Sequence, residues 1–118
     1  MFNQIEPIWL DYQQSPGRWH LPLRIQPQLD YLRGHFQQAP VLPGVVQIHW
    51  AIQQAQLRFG FGRQVAQLEK VKFQQVVHPD ETLILELERI GDRRIGFRFF
   101  QDQRRFSSGV IHFVEPRP

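Results

Sequence analysis

The sequence predicts an α+β fold in which a long antiparallel sheet wraps around one buried central helix. Three observations predict it. Residues 44 to about 58 carry apolar side chains at helical spacing on two stripes, which marks a helix covered on more than one side. After Gly62 the pattern changes to runs of alternating residues separated by turn signals, which marks a meander of antiparallel strands. The chain has 118 residues and a mass of 14.1 kDa, room for a single core, so residues 1–118 are expected to form one domain in which helix and strands share it.

The elements follow in order. The first third reads as irregular apart from Trp19-His20-Leu21-Pro22-Leu23-Arg24-Ile25. That run alternates apolar and polar residues, and Pro22 cannot donate to a ladder, so it predicts a short strand near a sheet edge. Residues 26 to 42 read as a loop, punctuated by Pro27, Gly34 and Pro40. Pro43-Gly44 opens the helix, since Pro is favoured at a helix start. Val45, Ile48, Ile52, Ala55 and Phe59 form one stripe, and Val46, Trp50 and Leu57 a second, with a narrow polar line of His49, Gln53 and Gln56 between them. Gly60 and Gly62 end the helix.

Strands are expected from there on. Val71, Phe73, Gln75 and Val77 alternate with Lys70, Lys72, Gln74 and Val76, and His78-Pro79-Asp80-Glu81 is a turn. Leu83, Leu85 and Leu87 alternate with Ile84, Glu86 and Glu88 up to the turn Ile90-Gly91-Asp92-Arg93. Ile95, Phe97 and Phe99 alternate with Gly96, Arg98 and Phe100 up to the turn Gln101-Asp102-Gln103-Arg104. A last strand covers residues 106 to 114, with Ser107-Ser108-Gly109 as a bulge or a point of close approach. A helix that is apolar all round needs a sheet that curls about it, which is the hot-dog arrangement.

Composition narrows the function. The chain has no Cys, which excludes disulfides and thiolate chemistry. It has no run of about 18 apolar residues, so nothing is expected to span a membrane. The start, Met1-Phe2-Asn3-Gln4-Ile5-Glu6, has neither a basic nor a long apolar region, so no signal peptide is expected and the cytoplasm is the expected compartment. The formal net charge is +3, and twelve of the fourteen cations are Arg, spread along the chain. That reads as a solvated mixed surface rather than a nucleic-acid footprint, and a modestly positive face also suits an acidic protein partner.

One segment carries a resemblance. Gly34-His35-Phe36-Gln37-Gln38-Ala39-Pro40-Val41-Leu42-Pro43-Gly44-Val45-Val46-Gln47-Ile48-His49-Trp50-Ala51 resembles the active-site segment of the hot-dog 3-hydroxyacyl-acyl-carrier-protein dehydratases. Their pattern is Gly-His-Phe, a few residues, Pro-x-x-Pro-Gly, then a helix with a carboxylate on its second turn. The Leu-Pro-Gly-Val-Val-Gln lead-in and Trp50 look most like the branch found with aryl-polyene biosynthesis. The likeness continues through residues 70–80 and Ser107-Ser108-Gly109-Val110-Ile111, and covers about residues 17 to 114.

The resemblance implies dehydration of a (3R)-hydroxyacyl thioester on acyl-carrier protein, without a cofactor. His35 stands at the position of the family's base, which takes the C2 proton. The thioester carbonyl belongs on backbone N–H groups at the helix start, here Gly44 and Val45, where unpaired donors meet the positive end of the helix dipole. Gln53 matches the family's Gln on the helix and is assigned to substrate binding. Fourteen residues after the base, where the family has Asp or Glu, this chain has His49. An imidazolium can donate a proton to the departing hydroxyl near neutral pH; the other reading is a neutral histidine bonded to Gln53 or Gln56. The resemblance also implies a dimer, of identical or different subunits, with His35 of one chain facing His49 of the other. An accessory subunit binding acyl-carrier protein or an active dehydratase partner is the alternative function, and an acyl thioesterase on the same fold is a third.

Other candidates carry less. His20, His78 and His112 are isolated in sequence, so no metal site is expected. Gly60-Phe61-Gly62 has no strand before it and no third glycine, which rejects a dinucleotide loop. Ser107 and Ser108 lack a Gly-x-Ser-x-Gly turn, which argues against a serine hydrolase. Phe97, Phe99, Phe106 and Phe113 read as core, part of which can line an acyl tunnel.

Overall fold

In the computed structural model, residues 5–29 and 41–114 are described. Their elements are β1 (Ile8–Trp9), β2 (Gln13–Ser15), β3 (Arg18–Arg24), α1 (Gly44–Phe59), β4 (Val65–Phe73), β5 (Thr82–Gly91), β6 (Arg94–Gln101) and β7 (Arg104–Phe113). One antiparallel sheet runs in the order β1-β3-β5-β6-β7-β4, with β2 also paired to β3. The helix lies on one face of this sheet, which is the hot-dog arrangement.

The alternation seen in the sequence sets the inner face. Leu21 and Leu23 of β3, Leu83, Leu85 and Leu87 of β5, Ile95, Phe97 and Phe99 of β6, and Ile111 and Phe113 of β7 are all buried. Against them α1 buries Val46, Gln47, Trp50, Ala51 and Ala55. Ala51 and Ala55 stand four residues apart on one face, and their small side chains let the helix lie close to the sheet. The helix ends at Gly60, which is left-handed (φ 75°) and returns its N–H to the Gln56 carbonyl at 3.0 Å.

Pro22 sits where its missing donor costs nothing. Its carbonyl accepts from the Leu10 N–H at 2.9 Å, on the side away from β5. In an antiparallel strand a residue's N and O point the same way, so the absent N–H also faces the thin outer edge, where β1 is two residues long.

Four expectations need correction. The N-terminal third is not wholly irregular: β2 and β3 form a hairpin around Pro16-Gly17, with Ser15 opposite Arg18 and Gly17 at φ 71°. β4 covers residues 65–73 rather than 70–77, because its course follows its pairing with β7. That pairing shifts register between Glu69 and Lys72, with Lys70 left-handed at φ 55°. The bulge of β7 falls at Phe106, one residue before the expected triplet; Ser107 pairs with Phe99 and Arg105 with Phe100. The close approach does lie in the triplet, at Gly109, where a Cβ would stand 2.7 Å from Phe97 Cε2.

The fourth correction concerns the helix. Its stripes do not divide as 45/48/52/55/59 and 46/50/57. The sheet covers Val46, Trp50, Ala51 and Ala55, while Val45 is 71% and Leu57 69% exposed. Among the described residues, α1 is covered on one side only. Among the described residues, no helix is long and apolar enough to cross a membrane.

Candidate active site at the start of the central helix

Chain direction at the helix start is set before the helix begins. Leu42 pairs with Val77 in an isolated bridge, its N–H bonded to the Val77 carbonyl at 2.8 Å. Pro43 is the N-cap (φ −60°, ψ 144°), and Gly44 is the first helical residue. The Val46 and Gln47 N–H groups return to the Pro43 carbonyl at 3.1 and 3.4 Å. The N–H groups of Gly44 and Val45 have no acceptor among the described residues, no side chain caps the helix, and its first turn holds no acid. Two donors without an acceptor among the described residues, at the positive end of a 16-residue helix, are what a developing oxyanion requires.

Gly44 leaves room for a neighbouring ring. The ring of Phe73, from the end of β4, lies against it, and a Cβ would fall 2.7 Å from Phe73 Cζ. Three residues further on, Gln47 is 2% exposed, and Ser107 beside it is 1% exposed. Ser107 Oγ donates to Gln47 Oε1 at 2.7 Å, and Gln47 Nε2 donates to the Leu42 carbonyl at 3.5 Å. The helix start is therefore tied to β7 by a buried polar pair and met by β4 through a phenyl ring.

Val45, His49, Gln53 and Leu57 recur every four residues and share one side of α1. That side is the uncovered one: His49 is exposed and Gln53 half-buried. Among the described residues His49 has no hydrogen-bond partner. The expected alternative, a bond to Gln53 or Gln56, is absent there; Gln56 Nε2 donates instead to the carbonyls of Gly62 and Arg63, at 3.2 and 3.1 Å. The structure thus places Gly44 and Val45 at the helix start, with His49 and Gln53 along the outer side beyond. His35, with the rest of Gly34 to Pro40, lies outside the described residues.

Two of the other histidines are held by carboxylates. His20 Nε2 bonds Glu86 Oε2 at 2.7 Å, and His112 Nε2 lies 3.0 Å from Glu69 Oε1. No group of three or more metal-ligating side chains occurs among the described residues. Glu86 lies between His20 and Arg98, whose Nε donates to it at 2.7 Å. Burial pushes the Glu86 carboxyl up, but the hydrogen bonds and charges of Arg98 and His20 outweigh it and hold the group below the usual carboxylate range. A concavity of about 270 Å³ on the sheet, lined among others by Lys72, Arg98, Arg105 and Ser108, contains none of the residues expected for the site.

Sequence reasoning misses the Gln47–Ser107 pair. A signal is available: Ser107 is in register with Gly109, Ile111 and Phe113, so period-two alternation turns it inward.

An antiparallel sheet with one helix on one face, whose first N–H groups have no acceptor among the described residues, defines the class: a hot-dog protein. The family model described as ApeI-like, ApeI dehydratase, matches residues 11–110. The chain belongs to the ApeI-like dehydratase family. A chain of the dehydratase heterocomplex ApeI:P from Xenorhabdus doucetiae is 34% identical, with 93% of this chain and 99% of that chain covered and a TM-score of 0.85. An uncharacterized protein from Erwinia carotovora subsp. atroseptica is 30% identical, with 92% and 96% covered and a TM-score of 0.77. A variant of a hypothetical thioesterase from Streptococcus pneumoniae is 12% identical over 99% of this chain and 100% of that one, with a TM-score of 0.69, a likeness of fold alone. No curated protein matches the sequence.

Proposed function

We propose that this protein, as a single 118-residue hot-dog domain, dehydrates (3R)-hydroxyacyl thioesters on acyl-carrier protein to trans-2-enoyl thioesters, in fatty acid or aryl-polyene-type biosynthesis in the cytoplasm. The observation that carries the reading is the helix start, where the Gly44 and Val45 N–H groups have no acceptor among the described residues, in a chain of a dehydratase family.

The thioester carbonyl accepts from those N–H groups, which acidifies C2. Neutral His35 takes the C2 proton, and charge passes to the carbonyl oxygen, where the helix dipole stabilises it. The C2=C3 double bond then forms as the C3–O bond breaks, and His49 gives the hydroxyl the proton with which it leaves as water. Gln53 binds substrate one turn further along α1. These steps require acid–base groups and oriented donors but no cofactor.

The site is completed between two chains. His49 and Val45 lie on a side of α1 that the described residues leave exposed, which suits a base supplied by a partner chain. The partner is a second copy or a related subunit; the Xenorhabdus doucetiae relative is a dehydratase heterocomplex. One observation favours a second reading: His49 stands where the resemblance puts a carboxylate, as expected of an accessory subunit that binds acyl-carrier protein or an active dehydratase without catalysing.

The test is to incubate the protein with a 3-hydroxyacyl thioester and follow enoyl absorbance and free thiol together. Enoyl formation supports the dehydratase. Free thiol alone means a thioesterase, and neither product means the accessory subunit.

A further inference from the structure

Gln47 and Ser107 are polar, come from elements 60 residues apart, and meet in an otherwise apolar core. A buried polar pair must be fully satisfied to be tolerated, and once satisfied it fixes one arrangement where apolar contacts allow sliding. The pair joins the parts that a helix start needs held. Gln47 is in the first turn of α1, and its amide reaches back to the Leu42 carbonyl, just before the Pro43 cap. Ser107 is on β7, opposite Phe73 of β4 and Phe99 of β6, and Phe73 is the residue whose ring lies on Gly44.

Besides buried Val46 and the Leu42–Val77 bridge ahead of the cap, the first turn has little else to fix it. It has no side-chain cap and no acid, and the glycine there adds backbone freedom. Phe73 is 54% exposed and can move.

We infer that Gln47 and Ser107 are positioning residues for the dehydration, acting through the helix start: their hydrogen bond holds the first turn of α1 against β7 and so sets the direction of the Gly44 and Val45 N–H groups toward the thioester carbonyl. The inference rests on the dehydratase reading above. It goes beyond it by assigning a function to two side chains that touch neither substrate nor reacting atoms.

The test is the double variant Gln47→Leu/Ser107→Ala, compared with each single variant. Removing one partner leaves the other buried and unsatisfied, whereas removing both leaves an apolar contact, so the double variant should melt closer to the unaltered protein than either single one. Catalysis should not return with stability. The expected kcat is lower by roughly ten- to a hundredfold, the range over which a misplacement on the order of 1 Å acts. KM should stay nearly unchanged, and exchange of the backbone amide hydrogens at positions 46 and 47 should be faster.

A double variant of restored stability whose kcat is within about twofold of the unaltered protein overturns the inference, because a merely structural pair recovers activity together with stability. If the unaltered protein forms no enoyl product, the dehydratase reading fails on that ground, and exchange still reports on the hydrogen bond. Unchanged protection of Val46 in the double variant then overturns its part in ordering the first turn. Should the double variant fail to fold, Ser107→Ala alone, assayed below its own melting temperature, carries the same comparison.

Discussion

Phe73 lies over Gly44 so closely that a methyl group on Gly44 would stand 2.7 Å from Phe73 Cζ. The obstacle is the far end of a half-exposed side chain, which can swing outward. Ala also favours the helix over Gly by about 1 kcal/mol. Gly44→Ala is therefore expected to keep stability within about 1 kcal/mol in a denaturant titration. Enoyl formation should fall, because the new methyl and the displaced ring crowd the Gly44 and Val45 N–H groups.

Gly109 gives the opposite result for the same change. A Cβ there would meet Phe97 Cε2 at 2.7 Å and Cζ at 3.0 Å, with Val71 Cγ2 at 3.2 Å. Phe97 is 3% exposed and packed in the core, so it has nowhere to go. Gly109→Ala is expected to cost about 1–3 kcal/mol, the usual penalty of overpacking. Equal midpoints for the Gly44 and Gly109 variants would contradict this pair of predictions.

Glu86 gives the fold an acid-sensitive component. Its folded pKa lies below its unfolded value, so the unfolded chain binds the proton more readily. Its contribution is fully present above the ordinary carboxylate value and is lost as pH falls through the depressed one. Glu86→Gln should cost about 1 kcal/mol at neutral pH, since Arg98 is partly exposed and solvent screens the pair. That difference should shrink toward zero in acid, read from denaturation midpoints across pH.

The proposed chemistry makes its own demand on side chains: His49 as acid and His35 as base are both needed. His49→Asp should raise dehydration, and His35→Ala should abolish it in either background. A His49→Asp protein that folds and dimerises, yet neither binds nor turns over 3-hydroxyacyl substrates, would favour the accessory subunit.

Val45 and Leu57, both more than two-thirds exposed, lie on the side of α1 proposed to meet a partner chain. Val45→Asp/Leu57→Asp should leave the circular dichroism of the fold intact while light scattering moves from dimer to monomer, with loss of enoyl formation. An unchanged dimer mass would place the interface elsewhere.

What is legible in the sequence follows from how local each signal is. The inward residues of β5 and β6 can be read directly because period-two alternation is a property of the strand itself. The helix over residues 44–59 is legible to within a residue because Pro43-Gly44 and Gly60 mark its ends locally. The turn at Pro16-Gly17 is equally local, but its flanking strands give it no context; β1 and β2 are too short to show a pattern, and exist through their pairing with β3. For the candidate site, the helix start and the positions of His49 and Gln53 come from a contiguous motif.

The sequence by itself determined the order of elements from β3 onward, the inner faces of the later strands and the family. Tertiary structure decided which side of α1 the sheet covers, because both stripes are apolar and only the sheet's position distinguishes them. It decided where β4 begins and bends, because Lys70 and the register shift answer to β7 and not to their own neighbours. It also joined Gln47 to Ser107, since a hydrogen bond between residues 60 apart leaves no periodic trace in either segment.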